Sequence, residues 1–376
     1  MSTSRYDVGI VGLGALGAAT AWQLAARGAR VAGFDRHRPP HALGSTHGRS
    51  RIIREAYFEH PLYVPIVQRA YALWADLEAA AGTRLFQACG GLMIGHPESA
   101  LFRGARTSAD WHALPVQEWT APELAARVPG LTVPGDMVAL FEPRAGVLDP
   151  ERAVTAMLRQ AEALGASLVV ETPVAGWEPE PGGIALRLAD GARVACARIV
   201  LAAGGWLAGL AQLDLPLTIE RAIQYWFPTG GDPRFAPAAF PVFILESPAG
   251  RWLYGLPDRG HGLKLAEHHG GWTGPLDALP RTVSDGERDD FRAFAAHYVV
   301  DLPPRSSEAS VCFYTNTPDD HFLLDRHPRH RAVYLASACS GHGFKFAPAL
   351  GELIAEDLTA GSPIRALEPF RLSRFR

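Results

Sequence analysis

The segment YDVGIVGLGALGAATAWQLAARGARVAGFD, residues 6–35, decides the fold. Tyr6 to Val11 reads as a short buried strand. Gly12-Leu-Gly14-Ala-Leu-Gly17 follows it. Ala18 to Arg27 then reads as a helix, and Ala29 to Phe34 as a second strand ending in Asp35. A GxGxxG run by itself says little. Here a strand precedes it, a helix follows it, and an acid stands 21 residues past the middle glycine. Gly12 permits a tight turn, Gly14 lets the backbone approach a pyrophosphate, and Gly17 lets the helix pack closely on the strand. The helix N-terminus faces the phosphates. Asp35 can accept from a ribose 2′-OH and would repel a 2′-phosphate. This predicts a Rossmann-like dinucleotide site, with NAD and FAD both open.

Further along, RIVLAAGGW (198–206) reads as a buried strand ending in a small-residue turn, preceded by the short β runs ALRLAD and ARVACA. Such a strand is typical of FAD-dependent amine oxidases and related flavoproteins, where the backbone crosses close to the same cofactor. Taken alone, it is equally an ordinary core strand. GVLDPERAVTAML (146–158) returns the chain to the nucleotide fold, with Asp149-Pro150 opening a helix. The expected class is α/β. A Rossmann-like FAD-binding domain takes 1–85, 145–215 and 320–376. An interleaved substrate domain takes 86–144 and 216–319, as a mixed sheet with helices on one side.

Composition narrows the function. The chain has 376 residues, enough for a sizeable core, with 48% hydrophobic and 20% charged residues, as in a soluble globular protein. A net charge of −3 gives no reason to expect nucleic acid or an anionic membrane. The four cysteines, Cys89, Cys196, Cys312 and Cys339, form no CxxC pair and no zinc spacing. The apolar start is too glycine-punctuated for a signal sequence, and no stretch is apolar enough to span a bilayer. A reduced, cytoplasmic setting is expected. A metal site on His261, His268 and His269 is not, because adjacent histidines on a strand point apart and no acid or thiolate completes the set.

Of 36 Lys and Arg, only Lys264 and Lys345 are lysine. Lysine is a compact point charge and arginine a broad planar fork. These two positions therefore suggest small or crowded targets, although codon bias alone would also leave a few lysines.

Four segments carry a resemblance: GSTHGRSRIIREAY (44–57), YGLPDRGHGLKLAEHH (254–269), CFYTNTPDDHFLLD (312–325) and SGHGFKFAPALGE (340–352). With the glycine motif, they resemble the monomeric sarcosine oxidase and N-methyltryptophan oxidase family of D-amino-acid-oxidase-like flavoproteins, nearly end to end. The resemblance implies an FAD oxidase of secondary amino acids, a monomer, using O₂ and releasing H₂O₂. It implies a flavin thioether at Cys312, with Cys339 as second candidate. It places Lys264 over the flavin ring, where a fixed ammonium stabilises the superoxide formed from O₂, and Arg51 as a second cation nearby. It gives Arg54 and Lys345 the substrate carboxylate. Arg51 and Arg54, three apart, would face one way on a helix or turn. Tyr254, His268 and Tyr314 line the pocket, and His268 can set amine orientation or protonation. Ser45, Ser50, Val174, Gly204, Gly341, His342 and Gly343 join Gly12, Gly14, Gly17 and Asp35 on the cofactor side. Without the resemblance, RSRIIRE reads as a solvated basic face paired with Glu55, and His327 and His330 read as surface.

The chain departs from the family at Thr46-His47-Gly48-Arg49-Ser50-Arg51, where relatives often have HHGDTR, leaving Arg49 open to flavin or solvent. FILESPAGRWLYG (243–255) is one residue longer than in the sarcosine enzymes and is expected to border the substrate. Three other readings stay open. They are an oxidase of a cyclic imino acid of the pipecolate or proline type, a flavin dehydrogenase with another acceptor, and a non-catalytic nucleotide-binding protein.

Overall fold

A computed structural model of the chain describes residues 5–360 and 364–375. The opening segment forms β1 (Tyr6–Val11), α1 (Ala15–Ala26) and β2 (Val31–Phe34). β1 is the centre of an eight-stranded sheet. It pairs in parallel with β2 and with Arg193–Leu201. Val333–Ser337 runs parallel beside the end of Arg193–Leu201, and Ser167–Val169 beside β2. Register places Val11 opposite both Phe34 and Leu201, and Leu201 opposite Leu335. Four parallel strands thus stop at one level. Ligands of open α/β sheets bind just beyond that edge. The two runs read separately as ARVACA and RIVLAAGGW are one continuous strand followed by a short turn, Gly204–Trp206. Helices α1, Tyr63–Ala81, Pro150–Ala163 and Ala347–Thr359 pack together over one face and bury Val8, Ile10, Val31 and Val200 with them.

A second, nine-stranded sheet is antiparallel except where Val242–Glu246 runs parallel to Gly91–Gly95. Its longest strand, Thr218–Phe227, carries the edge strand Glu308–Asn316 on one side and Leu263–Glu267 on the other. The expectation of helices on one side is corrected. Ala100–Trp111 packs on Met93, Leu140 and Ile244, whereas Ala121–Arg127 and Asp285–Ala295 pack with Leu92, Ile94, Phe243 and Leu265. Neighbours along a strand face opposite ways, so these helices cover opposite faces.

A small three-stranded sheet has Gly146–Leu148 between Arg51–Ile53 and Phe86–Ala88. Asp149 then caps the helix that Pro150 opens. The helix or turn expected for Arg51 to Arg54 is therefore a strand ending at Ile53, whose β-branched Ile52 and Ile53 suit the extended backbone. No helix among the described residues is long and apolar enough to cross a membrane.

Candidate active site

A cavity of about 490 Å³ opens beyond the ends of the parallel strands and reaches one face of the second sheet. That face follows from strand alternation. Lys264 lies directly opposite Leu256, and Ala266 lies opposite both Tyr254 and Gln224. Ala222 is opposite Cys312, and Glu220 is opposite Tyr314. Side chains two apart share a face. Tyr254, Lys264, Gln224, Cys312 and Tyr314 therefore line one wall, while Leu253, Leu263, Leu265 and Phe227 fill the core behind it. Lys264 is flanked by leucines because they point the other way.

Five cations line this cavity: Arg36, beside Asp35, and Arg51, Arg54, Lys264 and Lys345. The Lys264 ammonium is 2% exposed and donates to the carbonyls of Gly48 (2.8 Å) and Ser50 (2.9 Å). Burial, with Arg51 nearby, holds its pKa well below the ordinary lysine value. Arg51 donates to the carbonyls of Ser45 and Ser50, both at 2.9 Å. Arg54 is buried between the rings of Tyr57 and Phe58. It donates to the Ala56 carbonyl at 2.9 Å and to both oxygens of Glu59 at 2.8 and 3.1 Å. The basic face expected without the resemblance is thus overturned, because Arg54 points inward and Glu55 pairs with Arg144 instead.

Lys345 belongs to a hydrogen-bond chain whose direction is fixed. A carbonyl only accepts, so His342 Nε2 donates to Asp320 O at 2.9 Å. Neutral His342 then accepts at Nδ1 from the Tyr57 hydroxyl, 2.6 Å away. Tyr57 in turn accepts from Lys345, 3.3 Å away, and Lys345 also donates to the His342 carbonyl at 2.7 Å. Burial pushes His342 down to about 4, which agrees with the neutral ring. Burial and Arg54 push Lys345 down to about 7, against the pull of Glu59. His268 lines the cavity, 3.3 Å from the Tyr314 hydroxyl, and burial followed by His269 holds it well below an ordinary histidine.

A family model described as FAD dependent oxidoreductase (DAO) matches residues 7–357. The chain belongs to the DAO family of FAD-dependent oxidoreductases. The monomeric sarcosine oxidase of Streptomyces avermitilis is 39% identical over 377 residues, covering 98% of each chain. The N-methyl-L-tryptophan oxidase of Salmonella arizonae is 35% identical over 381 residues, covering 99% of each. Among solved structures, NikD, an amino acid oxidase of nikkomycin biosynthesis, has a TM-score of 0.86 at 21% identity, covering 98% of each chain. Glycine oxidase from Geobacillus kaustophilus has a TM-score of 0.81 at 24% identity, covering 99% of each. These two establish likeness of fold.

The residues at the strand ends suit the FAD of this DAO-family protein. A Cβ on Gly17 would lie 1.8 Å from Gly12 O, and one on Gly12 would lie 2.5 Å from Ala202 O. A Cβ on Gly14 meets nothing nearer than Thr46 at 3.7 Å, so its openness serves a ligand rather than the fold. Gly14 caps α1 without a side-chain partner, which leaves backbone donors for phosphate. Asp35, Val174 and Gly204 line the cavity beside it. One Asp35 oxygen accepts from Leu13 N–H and the other from His37 N–H, both at 2.8 Å. Ser45 and Ser50 lie on the wall facing them, and Gly341, His342 and Gly343 form a turn between. Of the residues expected here, only Gly17 stands off the cavity, where its role is helix packing. Among the described side chains on this wall, Gln224 Oε1 is buried without a partner.

Arg49 faces Glu308 at 2.9 Å over the Trp226 ring and is not part of the lining. His327, expected at the surface, is fully buried edge-on against Trp177. His268 and His269 do not point apart. The strand ends at Glu267, His269 takes a left-handed φ of 65°, and the two rings come within 4.1 Å. Among the described residues no group of three His, Cys, Asp or Glu is arranged for a metal. Sequence reasoning missed Tyr57, Glu59 and Gln224. Gln224 had a signal, since it is the one hydrophilic residue in the Ala222–Phe227 stretch of its strand. Glu59 and Tyr57 had none.

Proposed function

We propose that the protein oxidises secondary amino acids, N-methyl or N-alkyl glycines and their side-chain homologues, to aldehyde and amine with release of H₂O₂. The observation that carries this reading is the charge of the cavity. Arg51, Arg54, Lys264 and Lys345 line it, and among the described residues Glu59 is the one carboxylate in contact with any of them. Such an excess suits an anionic substrate, and the likeness to sarcosine and N-methyl-L-tryptophan oxidases names an N-methyl amino acid.

Arg54 and Lys345 hold the carboxylate. Arg54 offers a fork already aligned by Ala56 and Glu59, and Lys345 a point charge fixed by Tyr57 and His342. Neutral His268 accepts from the amine and orients it. Tyr254 and Tyr314 shape the space around the N-alkyl group. Bound FAD supplies the hydride acceptor and, once reduced, the electrons for O₂. Lys264 places a dry ammonium where oxygen gains negative charge, and Arg51 adds a second cation. Gly12, Gly14, Asp35, Val174 and Gly204 hold the dinucleotide, with Ser45, Ser50, Gly341, His342 and Gly343 toward the ring. Cys312 carries the FAD through a thioether. It is 3% exposed on the cavity wall, packed with Cys339 and Tyr314. Cys339, the second candidate, has its thiol raised by burial, which disfavours the thiolate there.

The reading includes a monomer in the cytoplasm and the interleaved domains given above. The test is H₂O₂ production by the yellow protein in air with a substrate panel. Sarcosine, N-methyl-L-tryptophan and proline are compared with their primary amino acids and with N-methylamines lacking a carboxylate. Turnover limited to carboxylate-bearing secondary amines is expected. Equal turnover of the carboxylate-free amines would overturn the assignment.

A further inference from the structure

The turn His268-His269-Gly270-Gly271 presses a second histidine against the one that lines the cavity. Two features build it. Gly270 has φ 83°, and a Cβ on Gly271 would lie 1.8 Å from the Arg221 carbonyl. The turn is therefore laid flat on the strand Thr218–Phe227, where it brings His269 Nδ1 within 2.9 Å of Glu220 Oε2. Glu220 is 5% exposed, and its carboxylate also accepts from Asn316 Nδ2 and from Gly271 N–H. A buried acid fixed by three donors, one of them an imidazole, is built to stay ionised. The His269 side chain is 35% exposed, so it can exchange protons with solvent while His268 faces the cavity.

We propose that His269, held protonated by Glu220, is a positioning residue that keeps His268 a neutral acceptor for the substrate amine. The inference rests on the reading of this cavity as the amine site. Two imidazoles at a 4.1 Å ring separation cannot both ionise at little cost, so a proton on one excludes it from the other. Glu220 decides which ring is charged, because it touches His269 only. Burial would lower His269, but its hydrogen bond to Glu220, together with the negative charges of Glu220, Asp320 and Glu59, reverses this and the group is raised. Burial opposes ionisation of Glu220, and the hydrogen bond and charge of His269, with the hydrogen bonds from Asn316 and Gly271, together outweigh it. The other groups facing His268 act in the same direction. His342, Lys345 and Arg54 all disfavour a charge there, and Tyr314 contributes a hydroxyl. Asp320 and Glu59 add negative charge toward His269.

With His268 neutral, the cationic amine of an incoming amino acid meets an acceptor rather than a like charge. As pH falls through the His268 midpoint, binding is lost. The pair therefore sets the acidic limit of substrate capture.

The test is histidine NMR of the ¹³C-labelled holoenzyme against pH, with kcat/KM profiles over the same range. In His269→Gln the midpoint of His268 should rise by about one pH unit or more, and the acidic limb of kcat/KM should move up with it. Glu220→Gln should move both in the same direction, by lowering the midpoint of His269. An unmoved His268 midpoint in His269→Gln overturns the inference. His268→Asn separates this from the underlying reading. If KM and the acidic limb survive that change, His268 has no role at the amine, while the NMR midpoints still decide whether the two rings are coupled.

Discussion

Lys264 and Lys345 have different partners, and the difference predicts different losses. Lys264 has only backbone carbonyls, which hold its ammonium in place without neutralising it. Replacing it by Met keeps the shape and removes the charge. The reaction of the reduced enzyme with O₂ should fall on the order of a hundredfold, while anaerobic reduction by substrate stays near normal; stopped-flow mixing resolves the two. Arg54 works through its fork. Arg54→Lys retains charge but loses the second hydrogen bond, so KM should rise about ten- to a hundredfold with kcat less affected, as steady-state assays would report. Cys312→Ser should release all flavin colour on acid precipitation, whereas Cys339→Ser should not. These residues were legible because the family motifs mark them. Arg54 and Lys345 could be named, but their fixed partners could not, since Glu59 lies in an unremarkable EAYFEHP and Tyr57 reads as a core aromatic. The facing of His268 and His269 was misread for a physical reason. The strand stops one residue earlier than its sequence pattern suggests, and a left-handed residue then swings the second ring back.

The element most legible in the sequence was the first. β1, α1 and β2 follow their glycines because each glycine answers a separate steric demand. That separation makes a prediction. Gly17→Ala forces a Cβ into the Gly12 carbonyl at 1.8 Å, so α1 must leave the strand. The melting temperature should drop, with a loss of about 1–3 kcal/mol typical of overpacking. Gly14→Ala meets only Thr46 Oγ1, at an ordinary contact distance of 3.7 Å. It should fold with near-normal stability and lose flavin, because its Cβ occupies the path of the pyrophosphate. Thermal melts and the flavin-to-protein ratio distinguish the two, and equal effects of both changes would mean that the glycines share one role. Less was legible where pairing is long-range. Arg51–Ile53 is a strand because Gly146–Leu148 lies beside it, and the latter lies far along the chain. A three-residue run of mixed charge and β-branched residues carries no periodicity that could reveal this. The two-sided helix cover of the second sheet was hidden likewise, since both faces of its strands are apolar.

For the whole molecule, the cavity draws its walls from both large sheets and buries ionisable groups that no single segment would bury alone. Their pH dependence is therefore a property of the assembled fold. Burial pushes His47 and His342 down to about 4, and holds His268 well below its ordinary value. Between about pH 4.5 and 6.5 the folded chain leaves them neutral and the unfolded chain protonates them. Their contribution is complete above 6.5 and is lost as pH falls toward 4. Glu142 has the opposite sign. Burial pushes it up to about 7, against the N–H groups of Glu55 and Ala56 that it accepts from at 2.7 Å. It stays protonated in the fold where the unfolded chain is ionised, so its contribution is present at low pH and is lost as pH rises from 4.5 through 7. Of these four groups, three take up a proton on unfolding and one releases it, so their joint share is a net uptake of about two, or about 2.7 kcal/mol per pH unit at most. Denaturant unfolding of the holoenzyme should therefore show stability falling as pH drops from 6.5 to 4.5. Glu142→Gln removes the opposing group, and the slope should steepen toward about three protons whatever the variant does to stability at pH 7. A slope unchanged by Glu142→Gln would mean that Glu142 is already ionised in the fold. The two hydrogen bonds that fix the backbone beside Arg54 would then be charge-assisted rather than neutral.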